Sequence, residues 1–195
     1  VMLISETEVL ALFAVADTVK DSSRAAIADL HALKVRTVML TGDNVHTAEA
    51  IAAAVGIDEA RGNLLPTDKL DTIKALLGPS DNVGMVGDGI NDAPALAGAD
   101  IGFAMGAAGT GTAIETADVA LMDDDLRKIP LFIRLSRKTA AVLKQNIALA
   151  LAIKAVFIVL VFMGKATLWM AVFADMGASL LVVANGWRLL RFTGK

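Results

Sequence analysis

The sequence predicts an α/β protein: a doubly wound parallel sheet followed in the chain by a two-helix transmembrane hairpin. Three observations carry that prediction. Through residues 1–125, short apolar runs alternate with segments of helical periodicity, the pattern of repeated βαβ units. Two polar turns, Thr41-Gly42-Asp43-Asn44 and Gly87-Asp88-Gly89, each follow one of those runs, where ligands bind in such sheets. After residue 146 come two apolar stretches, 147–163 and 168–186, each with one charge and each near the ~20 residues that cross a bilayer.

The elements follow in order. Residues 9–16 (VLALFAVA) fit a buried strand, and 22–33 (SSRAAIADLHAL) a helix entered at a serine cap. Residues 35–40 (VRTVML) are β-branched and apolar. An alanine-rich helix over 44–55 is closed by Gly56, and a third helix over 66–78 starts at Pro66 and stops at Gly78. Residues 82–86 (NVGMV) form a strand, and 91–99 a short helix. Two further strands, 100–105 and 118–122, flank a helix over 112–117. Residues 123–146 read as a basic amphipathic helix with acids at its start, which suits the helix dipole, and with Pro130 early in it.

The charge distribution separates two environments. Residues 1–125 carry 20 of the 21 acids, whereas 126–195 carry 11 of the 18 bases and one acid, Asp175. Hydrophobic residues make up 55% of the chain, which favours membrane spans over a second small soluble core. Arg134, Arg137, Lys138 and Lys144 precede the first span, and Arg188, Arg191 and Lys195 follow the second. By the positive-inside rule both ends face the cytoplasm and the turn at 164–167 faces out. Without cysteine the chain holds neither disulfides nor thiolate metal ligands. It begins at Val1 without a signal-peptide pattern, as a piece of a longer protein would.

The soluble rim collects phosphoryl chemistry. Asp88 stands on a glycine turn at a strand end, suited to a hard cation such as Mg²⁺. Asn91 and Asp92 open the next helix, Thr41 offers a hydroxyl, Gly42 a close backbone N–H, and Lys69 an ammonium. Each also has a plain structural role available: a turn for Thr41-Gly42-Asp43, a helix cap for Asn91 or Asp92, a solvated face for Lys69. No Walker sequence is present. In the spans, Lys154 and Asp175 lie 11 and 10 residues from Lys165, at matched depth and roughly mid-membrane. Such charges are paired or functional, and an ion pair between them is either purely structural or tied to a cargo. Met163, Met170 and Met176 read as packing more readily than as soft ligands. His31 and His46 are expected at the surface.

"TGDN", "LPTDK" and "MVGDGINDAPAL", in that order, resemble the phosphorylation domain of P-type ATPases, within the haloacid-dehalogenase-like superfamily. Residues 99–126 continue the resemblance, which spans nearly the whole chain. It implies that Thr41, Gly42 and Asn91 contact the phosphoryl group and that Lys69 neutralises it. It further implies that Asp88 binds Mg²⁺ with Asp92 in support, and that Asp43 lies near the nucleotide or a hinge. Thr67 stands where the family often has Glu. The family's nucleophilic Asp-Lys-Thr-Gly tetrapeptide is not in this sequence, so the resemblance implies a C-terminal piece, inactive alone. The nucleophile, the actuator domain, most of the nucleotide-binding domain and the earlier membrane helices then lie upstream.

"NIALALAIK" and "FADMGASLLVVANGWRLLR" resemble the last two helices of the zinc/cadmium/lead class of these pumps. Copper-class and cobalt-class patterns fit less well. The class implies that Asp175 ligates the transported metal and that Lys154 is its charge partner. The expected organisation is a partial phosphorylation domain over 1–125, a linking amphipathic helix over 126–146, a transmembrane pair over 147–187 and a cytoplasmic tail over 188–195. The implied function is ATP-driven export of Zn²⁺, Cd²⁺ or Pb²⁺ through an aspartyl phosphate, with ATP and Mg²⁺ as cofactors. The implied partners are the lipid bilayer and the remainder of the pump, with no nucleic acid. The implied location is the plasma (inner) membrane, with the soluble domain in the cytoplasm. Alternatives are a membrane-anchored haloacid-dehalogenase-like phosphatase and a non-catalytic membrane partner protein.

Overall fold

The computed structural model describes residues 2–5, 8–12, 19–79, 82–88, 90–106 and 115–192. The chain divides into two compact units, Val1–Lys128 and Ile129–Lys195.

In the first unit β1 (Met2–Ile4) and β2 (Val9–Leu12) form an antiparallel hairpin. This corrects the expectation of a buried strand over 9–16. Among the described residues the strands of this hairpin pair with each other alone, and Val9 and Leu10 are 63% and 58% exposed. Residues 13–16 lie outside the described residues.

The rest of the unit is parallel, as the alternating pattern predicts. Helix α1 (Asp21–Ala32) leads to β3 (Val38–Leu40), α2 (Val45–Val55) and β4 (Glu59–Arg61), with β4 parallel to β3. Helix α3 (Pro66–Leu76) leads to β5 (Gly84–Gly87), α4 (Ala93–Gly98), β6 (Ile101–Met105) and β7 (Val119–Leu121). The last three strands form a parallel sheet in the order β5-β6-β7. Strand β4 was not anticipated, because its sequence Glu-Ala-Arg carries no apolar run. Its charges are handled locally: the Glu59 carboxylate pairs with both Arg36 and Arg61, and that pairing holds it below its ordinary pKa, Arg61 contributing most. Of the expected helix over 112–117, residues 112–114 lie outside the described residues and 115–116 are helical.

A small core fixes the strand ends. Ile73, Met85, Ala95, Leu96 and Ala104 are buried together, and Leu40 at the end of β3 packs against them. The alanines let α4 sit close on the sheet. A second anchor ties α1 to the β3–β4 pair. The Asp58 carboxylate accepts from the Thr37 N–H at 2.7 Å and from its hydroxyl at 2.9 Å, and His31 Nε2 lies 3.1 Å from both side chains. The Thr37 N–H is the main reason the Asp58 carboxyl stays below its usual range.

The second unit is two long helices. Helix α5 (Lys128–Phe162) runs unbroken for 35 residues, and α6 (Leu168–Gly186) for 19, ending in a 3₁₀ turn, Trp187–Leu189. Both are long and apolar enough to cross a membrane. The basic amphipathic stretch and the apolar span share one continuous helix across 146/147. Pro130 is its third residue, where a missing N–H costs nothing. Thr167 caps α6, accepting from the Met170 N–H at 3.3 Å.

The acids expected within the start of that helix instead precede it. Asp125 accepts from the Arg127 guanidinium and backbone N–H at 2.7–3.0 Å, and Lys128 pairs with Asp123 at 2.7 Å. The Arg127 side chain, then its N–H, lowers the Asp125 pKa from 3.8 to about 2. A folded-state pKa below the unfolded value means that this pairing stabilises the fold above about pH 4 and is lost as the pH falls towards 2. Arg127→Gln should raise the Asp125 midpoint towards the ordinary carboxylate range, read from its side-chain ¹³C shift. A midpoint still near 2 would assign the depression to another group.

Candidate functional site

The rim of the first unit is built from the turns after β3 and β5 and from the start of α3. After β3, the Thr41 N–H continues the ladder to Arg61 O at 3.0 Å, and Thr41 O accepts from Leu64 N at 3.0 Å. The Thr41 hydroxyl donates to Asp43 Oδ2 at 3.0 Å and accepts from the Asp43 N–H at 3.1 Å. Thr41 and Asp43 thus form one closed turn, with both side chains facing each other at the sheet edge. Asn44 is absorbed by structure: its carboxamide caps α2 through the Thr47 N–H at 2.9 Å. A Cβ on Gly42 would meet only Leu64 O, at 3.4 Å, so sterics leave that position open. The tight approach is at Gly62, which sequence reasoning passed over. A Cβ there would fall 2.7 Å from the Val45 backbone and 2.8 Å from Asp43 O, so the residue after β4 must be glycine for the Thr41–Asp43 turn to close.

After β5 the chain enters a 3₁₀ turn, Ile90–Asp92, before α4. The helix expected over 91–99 is thus only Ala93–Gly98, too short to present a strong N-terminal dipole. Asp88 and Asn91 are exposed, and Asp92 is buried. Gly89 lies outside the described residues. The Asp92 side chain backs onto the end of β5: a Cβ on Gly87 would fall 2.7 Å from Asp92 Cβ. The first turn of α3 then brings Lys69 to it. Lys69 Nζ donates to Asp92 Oδ1 at 2.7 Å, with the two side chains 16% and 12% exposed. Asp68 holds that turn in place, accepting from the Leu65 N–H at 2.9 Å.

Two of the expected site residues, Lys69 and Asp92, are therefore joined directly, across 23 residues of sequence. Thr41 and Asp43 are joined as a second pair. Asp88 stands with its carboxylate open to solvent at the end of β5. Among the described residues no group of three or more His, Asp or Glu gathers as a ready metal cage. That is compatible with Mg²⁺, which takes one or two carboxylates and fills its shell with phosphate oxygens and water.

The second unit holds the other expected pair. Lys154 and Asp175 line one cavity of about 860 Å³ between α5 and α6, with Ala150, Phe157, Ser179 and Val182 among its other walls. They do not form the expected ion pair: no salt bridge among the described residues joins them. The cavity that they share separates the two helix faces. Asp175 O accepts from the Ser179 hydroxyl at 3.0 Å. Sequence reasoning also missed Asn146 and Asn185, which bridge the helices: Asn185 Nδ2 donates to Asn146 Oδ1 at 2.8 Å.

Comparison with known proteins places this geometry. The profile of the haloacid dehalogenase-like hydrolases matches residues 1–100. The chain belongs to that family. Within it, the chain is homologous to metal-transporting P-type ATPases along almost its whole length. It is 55% identical over 188 residues to a probable cadmium-transporting ATPase of Alkalihalophilus pseudofirmus, covering 96% of this chain and 26% of the relative. It is 46% identical over 191 residues to the zinc/cadmium/lead-transporting P-type ATPase of Shigella sonnei, covering 98% of this chain and 26% of that protein. A crystal structure of a zinc-transporting PIB-type ATPase in its E2·Pi state superposes with a TM-score of 0.85 at 48% identity, over 90% of this chain and 28% of the other. This haloacid dehalogenase-like chain thus spans about a quarter of the length of the relatives it matches.

Proposed function

We propose that the chain is the C-terminal part of an ATP-driven exporter of zinc, cadmium or lead ions. The observation that carries the reading is the similarity over 90% of the chain to a zinc-transporting pump. In this reading Thr41, Gly42 and Asn91 contact the phosphoryl group, and Asp43 orients Thr41 through their shared turn. Lys69 places its ammonium beside the phosphoryl oxygens, and Asp92 holds it there. Positive charge fixed in advance where negative charge develops lowers the barrier without reorganisation. Asp88 holds Mg²⁺, which neutralises phosphate charge when bound. The aspartate that accepts the phosphoryl group belongs to the remainder of the pump, with the actuator and nucleotide-binding domains.

Asp175 then ligates the cation in the interhelical cavity, and Lys154, on the other helix lining it, supplies a built-in positive charge that favours its release. Both helices lie in the lipid bilayer, with the first unit on the cytoplasmic side of the plasma membrane. Continuity of α5 from Lys128 to Phe162 gives movements at the soluble end a rigid route into the span. Inverted membrane vesicles carrying the full-length protein should accumulate zinc, cadmium or lead only when given Mg²⁺ and ATP. ATP-independent accumulation, or none for any of the three, would reject the assignment.

A further inference from the structure

We propose that Asn146, Asn185 and Arg188 form a directional hydrogen-bond clamp that sets the spacing of α5 and α6 at one end of the Lys154–Asp175 cavity. They act as positioning residues for the cation. The inference rests on the transport reading above.

The chain of bonds has four members. The Arg188 guanidinium donates to Asn185 Oδ1 at 2.9 Å, Asn185 Nδ2 donates to Asn146 Oδ1 at 2.8 Å, and Asn146 Nδ2 donates to Val182 O at 3.4 Å. Its polarity is fixed at both ends. Arginine has only donors, so the Asn185 atom facing it is the oxygen. A backbone carbonyl only accepts, so the Asn146 atom facing Val182 is the nitrogen. The remaining contact must then run from the Asn185 nitrogen to the Asn146 oxygen, which is the geometry observed. Neither carboxamide can flip without setting like atoms against each other.

The clamp adjoins the cavity through shared residues. Val182 accepts from Asn146 and also lines the cavity, and Ala150, one turn beyond Asn146 on α5, lines it too. The remaining wall residues continue along α5 to Phe162 and along α6 back to Ala171, so the clamp closes the end away from the hairpin turn. A cavity of about 860 Å³ leaves the two helices little direct packing across it. Polar links of this kind between the helices therefore decide how far apart Lys154 and Asp175 are held.

The test uses the full-length protein purified in lipid nanodiscs, with zinc-stimulated ATP hydrolysis and the thermal midpoint as readouts. Asn146→Leu and Asn185→Leu should each raise the KM for zinc roughly threefold to tenfold, with kcat within about twofold of wild type. The double variant should be no worse than the worse single one, because both remove the same bond. Polarity makes the sharper prediction. Asn146→Asp keeps its bond from Asn185 but loses its donor to Val182 O, the longer contact at 3.4 Å against 2.8 Å, so its KM should rise less than that of Asn185→Asp. Asn185→Asp loses its donor and sets two oxygens together, and should behave like Asn185→Leu. Equal effects of the two aspartate variants, additive leucine effects, or unchanged KM values would each overturn the clamp. The thermal midpoints should show the same asymmetry and coupling. A wild-type protein without zinc-stimulated turnover would overturn the transport reading and with it the positioning role, while the midpoints still decide whether the clamp exists.

Discussion

Lys69→Met in the full-length protein should cut phosphoryl transfer from ATP by about 10²- to 10³-fold and destabilise the soluble unit by about 3–5 kcal/mol. The two losses have different origins. The first is removal of a fixed positive charge from the place where the transferred phosphoryl group gathers negative charge. The second comes from Asp92, whose side chain is 12% exposed and packed on the end of β5 at Gly87. Without Lys69 it is a nearly buried carboxylate with its ion-pair partner gone. Adding Asp92→Asn removes that orphan charge. The double variant should therefore regain most of the lost thermal stability and none of the lost phosphoryl transfer. Stability that does not recover would mean that Lys69 supports the fold by packing its stem. Transfer that recovers would remove Lys69 from the phosphoryl site.

Asp175→Asn should lower cation-stimulated ATP hydrolysis on the order of 100-fold and leave phosphorylation by inorganic phosphate near its wild-type level. Asp175 belongs to the second compact unit, and every residue proposed for the phosphoryl site belongs to the first. Losing the ligand should thus silence the signal that the cation sends and spare the chemistry that it triggers. Lys154→Met should have a milder effect. The two side chains share a cavity with no salt bridge between them among the described residues, so removal of the lysine leaves the cation's ligand in place.

The parallel sheet and the hairpin were legible because their signals are strong and local. Apolar runs of four to six residues ending in Thr41-Gly42-Asp43 and Gly87-Asp88 announce strand ends, and two long runs with one charge each announce spans. What escaped depends on contacts that span the chain. Glu59–Arg61 is a strand because Val38–Leu40 offers it a ladder and because Arg36 answers its charge, neither of which composition reveals. Residues 9–12 look like core but, among the described residues, pair in a hairpin that leaves the Val9 and Leu10 side chains exposed.

The same division holds for the site. The residue types of the candidate rim were readable, because few chemistries need Thr, Asn and Asp in the turns after strands with a Lys on a nearby helix. Their pairings were not. Lys69 reads as a phosphate ligand by type, and only the fold shows that its ammonium is held by Asp92. Asn146 and Asn185 carry no charge and match no metal-ligand spacing. Their one sequence signal was an amide near a span's edge, where an unpaired polar group is costly.

The measurement closest to the proposal is phosphoenzyme formation by the full-length protein from γ-labelled ATP, with and without zinc or cadmium, in wild type and Asp175→Asn. The proposed function predicts an acid-stable, hydroxylamine-sensitive phosphoprotein that forms in wild type only when cation is present and is lost in the variant. Labelling that ignores the cation, or that is equally strong in Asp175→Asn, would contradict it.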